Sequence, residues 1–226
     1  FNQNIGNWNT SVVTNMANMF NGASAFNQNI AYNSSTNSWN TANVTRLNGM
    51  FYGASAFNQN IGNWNTSSVN SLDSTFYLAT NFNQDIGGWD TSNVTTFIYL
   101  FDNAYNFNQN IGGWNVSKVV DFRSAFIGAR SFNNGCAPGV TTCSSIAGWN
   151  TSRATMMDQM FDHAANFIQN ISGWSVNNAI GGNVVNNVLT PLTCATVTHV
   201  GFSQYGGLSS SANRPCQKAG EASSGW

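Results

Sequence analysis

The sequence predicts an α/β repeat protein, in which short strands form a parallel β-sheet and each coil of a solenoid carries one short helix. Three observations lead to this fold class: a recurring motif, apolar residues at fixed offsets within it, and two kinds of spacing inside each unit. The segment FNQNI opens the chain and returns at residues 26, 57 and 107, and FNQDI begins at residue 82. A period of this length is typical of units that stack upon one another.

Seven units can be aligned on their first phenylalanine. They begin at residues 1, 26, 57, 82, 107, 132 and 167, so most are 25 residues long. Two insertions, at residues 31–38 and 135–145, lengthen the second and sixth units, and both fall between the isoleucine and the tryptophan of the unit. Insertions at one point of a repeat map to loops on one edge of the stack. Residues 1–176 are therefore predicted to form a solenoid.

The predicted core consists of aromatic and aliphatic residues at unit positions 1, 5, 8 and 20. Because each position keeps its residue type from unit to unit, we expect the same core in every coil. Its predicted members are Phe1, Ile5, Trp8, Phe20, Trp39, Phe51, Trp64, Phe76, Trp89, Phe101, Trp114, Phe126, Trp149, Phe161 and Trp174.

Two periodicities divide each unit. Unit positions 13, 16, 20 and 23 are apolar, and this spacing is typical of one face of a helix, which a Thr or Ser near position 10 is suited to cap. Before it, Trp8 and Thr10 alternate with two asparagines, the pattern of a short strand. Asn2 and Gln3 also recur in almost every unit, and stacked amides are expected to hydrogen-bond from coil to coil.

Composition narrows the possible functions. Charged residues make up 7% of the chain and the formal net charge is −1, so there is no basic surface for nucleic acid. No apolar run approaches the roughly 20 residues of a membrane span. There is no catalytic motif and no spacing typical of a metal or cofactor site, so we expect no enzyme activity and no cofactor. The two insertion loops are the only candidates for an enzyme pocket. The carboxylates are few, and six of the eight, Asp85, Asp90, Asp102, Asp121, Asp158 and Asp162, are scattered along the chain.

The cysteines occur in two close pairs, Cys136 with Cys143 and Cys194 with Cys216. Their even number, in loop-like sequence that contains Gly and Pro, favours two disulfides and an oxidising compartment. Four reduced, buried thiols are the alternative. The repeat ends near Val176, and residues 177–226 are predicted to form a C-terminal cap or assembly segment that holds the second disulfide.

The run W-N/D-T-S-x-V-T-x-M-x-x-M-F-x-x-A-x-x-F-N-Q-N/D-I-x-x-W is seen at residues 64–101 and 89–126. It resembles the repeat of the BspA-like leucine-rich-repeat family of bacterial and protist surface proteins, and the resemblance covers residues 1–176. It implies a leucine-rich-repeat-like solenoid at the cell surface or outside the cell. The implied roles are adhesion and the binding of protein or matrix, with no catalytic residues.

Most units carry Asn where that family usually has Asp after the tryptophan, and this change creates N-glycosylation acceptors. A chain so rich in Asn, Ser and Thr is also expected to contain several acceptor sequences by chance. The possible glycosylation sites are Asn9, Asn33, Asn43, Asn65, Asn93, Asn115, Asn150 and Asn170.

Two functions are open from the sequence. In the first, a structural and adhesive protein polymerises head-to-tail into a filament, because Phe1, Ile5 and Trp8 form an uncapped edge that the C-terminal segment of a neighbour would cover. A cap in residues that precede Phe1 is the alternative explanation. In the second, a monomeric module of a longer anchored chain binds an extracellular protein or glycan through an exposed strand face. That predicted binding face comprises Asn7, Asn9, Asn63, Asn65, Asp90 and Asn115.

Overall fold

A computed structural model of the chain describes residues 1–137, 145–169, 171 and 173–175. These residues form a stack of coils, in which each repeat makes one circuit and lies against the repeat before it. Backbone hydrogen bonds join equivalent parts of neighbouring coils, as where the N–H of Phe76 donates to the carbonyl of Leu100 at 3.0 Å. The repeats therefore stack, as their periodicity indicates.

The predicted α/β architecture is wrong. Over the described residues there is no helix and no continuous β-strand, and β-pairing is limited to isolated bridges. A parallel sheet with one helix per coil, and with it a leucine-rich-repeat architecture, is absent from this part of the chain. Parallel bridges join Asn15 with Arg46, Arg46 with Ser71, Thr96 with Asp121, and Asp121 with Met156, and antiparallel bridges join Ser38 with Asn9 and with Asn33.

Each coil is instead a succession of tight turns. A turn of this kind closes when the N–H of residue i+3 donates to the carbonyl of residue i. The abundant Asn, Ser, Thr and Gly residues of the repeat favour such turns. In the third repeat the donors of these bonds, with N···O distances of 2.9–3.2 Å, are Trp64, Val69, Thr75, Tyr77, Ala79 and Phe82.

The predicted helix does not form because the backbone adopts a left-handed conformation at two positions in the segment. Repeat positions 18 and 22 have positive φ, which is 55° at both Ser74 and Leu78, and a right-handed helix cannot contain such residues. Their N–H groups donate to the carbonyls of Ile98 and Asp102 in the next coil, both at 2.8 Å. The apolar spacing therefore marks inward-facing residues of successive turns.

Three columns of stacked rings fill the interior. Rings at repeat positions 1, 8 and 20 lie over their equivalents in the next coil, with centroids 5.4–6.5 Å apart. Between Trp114 and Trp149, Phe97 contacts both indoles, at 5.7 and 6.4 Å. Thirteen of the predicted core residues are at most 4% exposed, whereas Phe1 and Trp8 in the first coil are 61% and 47% exposed. Such ring pairs each contribute about 0.5–1.5 kcal/mol beyond the apolar area that they bury.

Polar groups hold the columns in register. Each buried indole N–H from Trp39 onward donates to the carbonyl of the isoleucine in the preceding coil, as from Trp64 to Ile30 at 2.9 Å. At repeat position 2, the side-chain oxygen of Asn58 accepts the backbone N–H of Asn83 at 2.9 Å. The amide columns therefore exist, and they act chiefly by accepting a backbone N–H from the following coil.

Glycine at repeat position 6 allows the coils to approach closely. A Cβ atom placed on Gly62 would lie 2.4 Å from the carbonyl oxygen of Asp85 in the next coil. Because no side chain fits in that space, Gly is required wherever this contact recurs.

Several predictions concern residues outside the described part of the chain. These are the C-terminal segment 177–226 with Cys194 and Cys216, residue Cys143 of the second insertion, and the acceptor Asn170. Cys136 is buried and disulfide-bonded, and the cysteine bonded to it lies outside the described residues. The pairing of the cysteines stays a prediction.

The ring columns should dominate the stability of the stack. Phe76 is fully buried and lies between Phe51 and Phe101, with centroids at 5.6 and 5.4 Å. Replacing it with alanine should lower the free energy of unfolding by about 3–5 kcal/mol, because the cavity interrupts a column. Urea unfolding followed by tryptophan fluorescence measures the change. The control Tyr99→Ala removes a 43%-exposed ring and should change stability by less than about 1 kcal/mol; equal effects would contradict the prediction.

Candidate binding face

The stack brings residues at repeat positions 15–21 of successive coils together on one long side. The bridges between Arg46 and Ser71 and between Thr96 and Asp121 place these segments next to one another. Five of the eight acidic residues of the chain lie here, although the sequence spaces them irregularly. We call this surface the charged face, and its charged and aromatic members are Arg46, Tyr52, Asp73, Tyr77, Tyr99, Asp102, Asp121, Arg123, Asp158 and Asp162.

Three tyrosines form a ladder on the charged face. The rings of Tyr52 and Tyr77 are stacked with centroids 4.4 Å apart and planes 10° from parallel. Tyr99 meets Tyr77 edge-on at 6.1 Å and is 43% exposed. Desolvation raises the pKa of Tyr77, so its hydroxyl is protonated at neutral pH. The ladder presents aromatic surface with a polar rim to solvent.

One ion pair stands beside this ladder. The guanidinium of Arg123 donates to both carboxylate oxygens of Asp121 at 2.7–3.1 Å, and the Arg123 backbone N–H donates to one of them at 2.9 Å. These hydrogen bonds raise the pKa of Arg123 further above its ordinary value. Because the Arg123 side chain is 45% exposed, its outer edge is available to a ligand.

Three of the five aspartates of the face, Asp102, Asp121 and Asp162, are buried, and Asp73 is half-buried. Asp73 accepts hydrogen bonds from the hydroxyl of Thr96 and from the backbone N–H of Ile98, and burial raises its pKa. Asp102 is 5% exposed and accepts a hydrogen bond from the Asn103 side chain at 2.6 Å. Burial raises the pKa of Asp102 to about 6, against the lowering effect of that hydrogen bond.

An open groove of about 800 Å³ crosses the charged face at the first coils. Its lining includes Arg46, Tyr52, Asp73 and Thr96, together with Asn18 of the first coil. It therefore combines an aromatic ring, both signs of charge and neutral hydrogen-bonding groups in one concave surface.

The predicted strand-face residues lie elsewhere and are used largely in turns. The side-chain oxygens of Asn9, Asn65, Asp90 and Asn115 each accept the N–H of the residue two positions later, at 2.9–3.1 Å. Hydrogen bonds from the hydroxyl and backbone N–H of Ser92 lower the pKa of Asp90. Asn63 binds both the N–H and the carbonyl of Tyr32, and Asn7 lines a hollow at the first coil. These contacts give the residues a local structural role.

The possible glycosylation sites differ in whether the side-chain amide nitrogen, which would carry a glycan, donates a hydrogen bond. In Asn43 and Asn93 that nitrogen donates to a carbonyl of the preceding coil, at 2.7 and 2.8 Å. In Asn9, Asn65 and Asn115, which are exposed, it has no acceptor within the described ranges. Asn33 lies in the first insertion, and its oxygen accepts the N–H of Ser35. The oxygen of Asn150 accepts the N–H of Ser152 in the same way.

The first coil, at one end of the described residues, exposes apolar side chains. Phe1, Trp8 and Met19 are between 37% and 61% exposed. A hollow of about 820 Å³ lies beside Trp8, Met16 and Met19. In later coils the equivalent rings are covered by the coil before them, so this end has the shape and chemistry of a coil-to-coil contact.

The described residues include no group of three or more His, Cys, Asp or Glu side chains able to hold a metal ion. Nor do they include a helix with the length and apolar character needed to span a membrane.

The charged face was not predicted, although the sequence contains a signal for it. Aligned on the repeat, Asp73 and Asp158 both occupy position 17, while Asp102 and Asp162 both occupy position 21. Positions 17 and 21 are four residues apart and would share one face of a helix as well, so the signal did not depend on the backbone conformation; it was missed because the carboxylates are scattered along the chain. Aligning charged residues by repeat position, independently of secondary structure, would have found it.

The buried carboxyl of Asp102 predicts an unusual dependence of stability on pH. Its pKa in the folded state, about 6, lies above the ordinary value for an aspartate, so the folded state binds the proton more tightly and stability should fall as pH rises from about 4 to about 6. At pH 7 the free energy of unfolding of Asp102→Asn should therefore exceed that of the parent chain by about 2–3 kcal/mol. Urea titration at several pH values measures the difference. The control Asp90→Asn, at an exposed carboxylate whose folded pKa is lowered, should give no gain at pH 7. An unchanged Asp102→Asn profile would contradict the prediction.

The comparison with protein families gives one result. The chain matches the family model described as "Mycoplasma protein of unknown function, DUF285" over residues 1–36, 30–138 and 140–185. No curated protein and no solved structure matches it. The three matched segments together span the described coils, and the first two overlap, as repeated units allow. The chain therefore belongs to the DUF285 family.

Proposed function

We propose that the protein is a non-enzymatic, extracellular or cell-surface repeat protein with a structural and adhesive role. In this proposal the stack of coils is a stiff support, and the charged face is the surface that binds a partner. The observation that carries the proposal is the placing of five acidic residues, two arginines and three tyrosines on one side of a chain with only 7% charged residues.

The location outside the cell is supported by two observations. The disulfide at Cys136 is typical of proteins that fold in oxidising compartments. The repeat also resembles that of BspA-like surface proteins, which supports an adhesive role at a cell surface. The low charge of the chain is compatible with this location, because Asn, Ser and Thr supply a polar surface without net charge.

The charged face is a better binding surface than the position-9 asparagines. A protein interface typically gains most from aromatic and arginine side chains that are already held in place. Tyr52 and Tyr77 are fixed by stacking, and Arg123 is fixed by Asp121. The side-chain oxygens of Asn65 and Asn115 are instead occupied by turn N–H groups.

A binding assay with two matched variants tests this choice of face. The charged-face variant carries Tyr99→Ala and Arg123→Gln. The amide-face variant carries Asn65→Asp and Asn115→Asp, which keep the turn acceptor as Asp90 does. Beads coated with each protein are applied to immobilised extracellular matrix and to cultured cells. The charged-face variant should lose about tenfold or more in binding, and the amide-face variant should retain it. The reverse result, with both proteins folded by circular dichroism, would transfer the site to the amide face.

A second candidate function is end-to-end assembly into a filament. It is favoured by the exposed rings of Phe1 and Trp8. These rings match the apolar surface that each later coil presents to the coil before it, so a second copy of the chain would extend the columns. A contact between unlike ends does not close on itself and gives a filament.

Sedimentation over a range of protein concentrations tests this assembly. The average mass of the 226-residue chain should rise with concentration, and Trp8→Asp should abolish the rise by placing a charge in an apolar contact. Tyr99→Asp provides the control, because it replaces an exposed aromatic side chain of the charged face with the same charged residue. A chain that stays monomeric at high concentration would exclude the filament and leave the adhesive role intact.

A further inference from the structure

The groove on the charged face indicates what class of ligand the protein binds. The inference rests on the binding role proposed above and names a chemistry for it. The groove is open and has a volume of about 800 Å³, which is enough for a ligand of several rings.

An aromatic ring forms one part of the lining. Tyr52 lines the groove and is packed on Tyr77 at 4.4 Å, so its orientation is fixed before any ligand arrives. A fixed tyrosine offers a flat apolar surface with a hydroxyl at its rim. A sugar ring has the complementary arrangement, with C–H groups on one face and hydroxyls around its edge.

Planar polar groups form a second part of the lining, in addition to the hydroxyls of Ser71, Ser74, Thr95 and Thr96. The guanidinium of Arg46 is exposed and forms no ion pair in the described part of the chain. Asn18, Asn48 and Asn70 add carboxamides, and Asp73 adds a carboxylate. Sugar hydroxyls both donate and accept hydrogen bonds, so they can be bound by amide, guanidinium and carboxylate groups together.

The charges in the groove decide which sugars fit. Arg46 and Asp73 are the charged residues of its lining, and their charges balance. An anionic sugar would gain from Arg46 but would bring its charge towards Asp73, whereas a neutral sugar meets no such opposition. We propose that this groove binds an uncharged oligosaccharide, with one sugar ring packed on Tyr52 and its hydroxyls hydrogen-bonded to Arg46, Asp73 and the asparagines.

Binding of the full chain to an array of neutral and acidic oligosaccharides tests the proposal, followed by calorimetry with the strongest neutral ligand. Tyr52→Ala and Arg46→Gln should each weaken that binding about tenfold. Tyr52→Phe keeps the ring and should retain most of the affinity. The controls are Tyr105→Ala and Arg153→Gln, which remove the same residue types outside the groove and should leave the affinity unchanged.

Three outcomes would overturn the proposal: no binding on the array, binding confined to acidic sugars, or binding that Tyr52→Ala leaves unchanged in a protein that melts like the parent. The adhesion assay separates these failures from failure of the proposed function. If the chain adheres through the charged face while the array is blank, the ligand class is wrong and the binding face stands. If neither assay shows binding, the adhesive role is also wrong.

Discussion

The structure depends on one constraint: each side chain must pack against the side chain at the same repeat position in the next coil. Flat rings satisfy it inside, because Phe and Trp stack on their equivalents in the next coil, with centroids 5.4–6.5 Å apart. Asparagine satisfies it outside, because one amide accepts a backbone N–H from the next coil. Residues with net charge do not stack in this way, since like charges would be superposed. The composition of the chain, rich in rings and amides and poor in charge, follows from this geometry.

The periodicity of the sequence predicted which residues would be buried. Trp39, Phe51 and Phe76 were expected in the core from their unit positions alone, and all are fully buried. Phe1 and Trp8, in the first coil, are the exceptions, at 61% and 47% exposed. An apolar residue type that recurs at one repeat position is buried whether the backbone there is a helix or a turn. This part of the prediction therefore succeeded although the predicted helix was wrong.

The backbone conformation could not be predicted in the same way. Apolar residues three and four apart are common to a helix and to a series of turns, and the two differ in φ at residues such as Ser74, Leu78 and Tyr99. None of these three is a glycine, but glycine occupies the equivalent positions of other coils with the same positive φ, as at Gly49 and Gly53, so the aligned repeats did contain a signal for the left-handed conformation. Their positive φ is maintained by hydrogen bonds to the next coil, which depend on the stack as a whole. The charged face was missed for a different reason: its residues come together wherever equal repeat positions stack, but they are far apart along the sequence.

The close fit at Gly62, where a Cβ would lie 2.4 Å from the carbonyl of Asp85, has a consequence for how such a gene can change. A point substitution there acts on two coils at once, so single changes are strongly restricted. A duplication or deletion of one whole 25-residue unit preserves contacts of this kind, because they join equivalent positions of neighbouring coils. The number of repeats can therefore change more easily in evolution than the residues at these contacts. Related chains can become longer or shorter while each coil keeps the same cross-section.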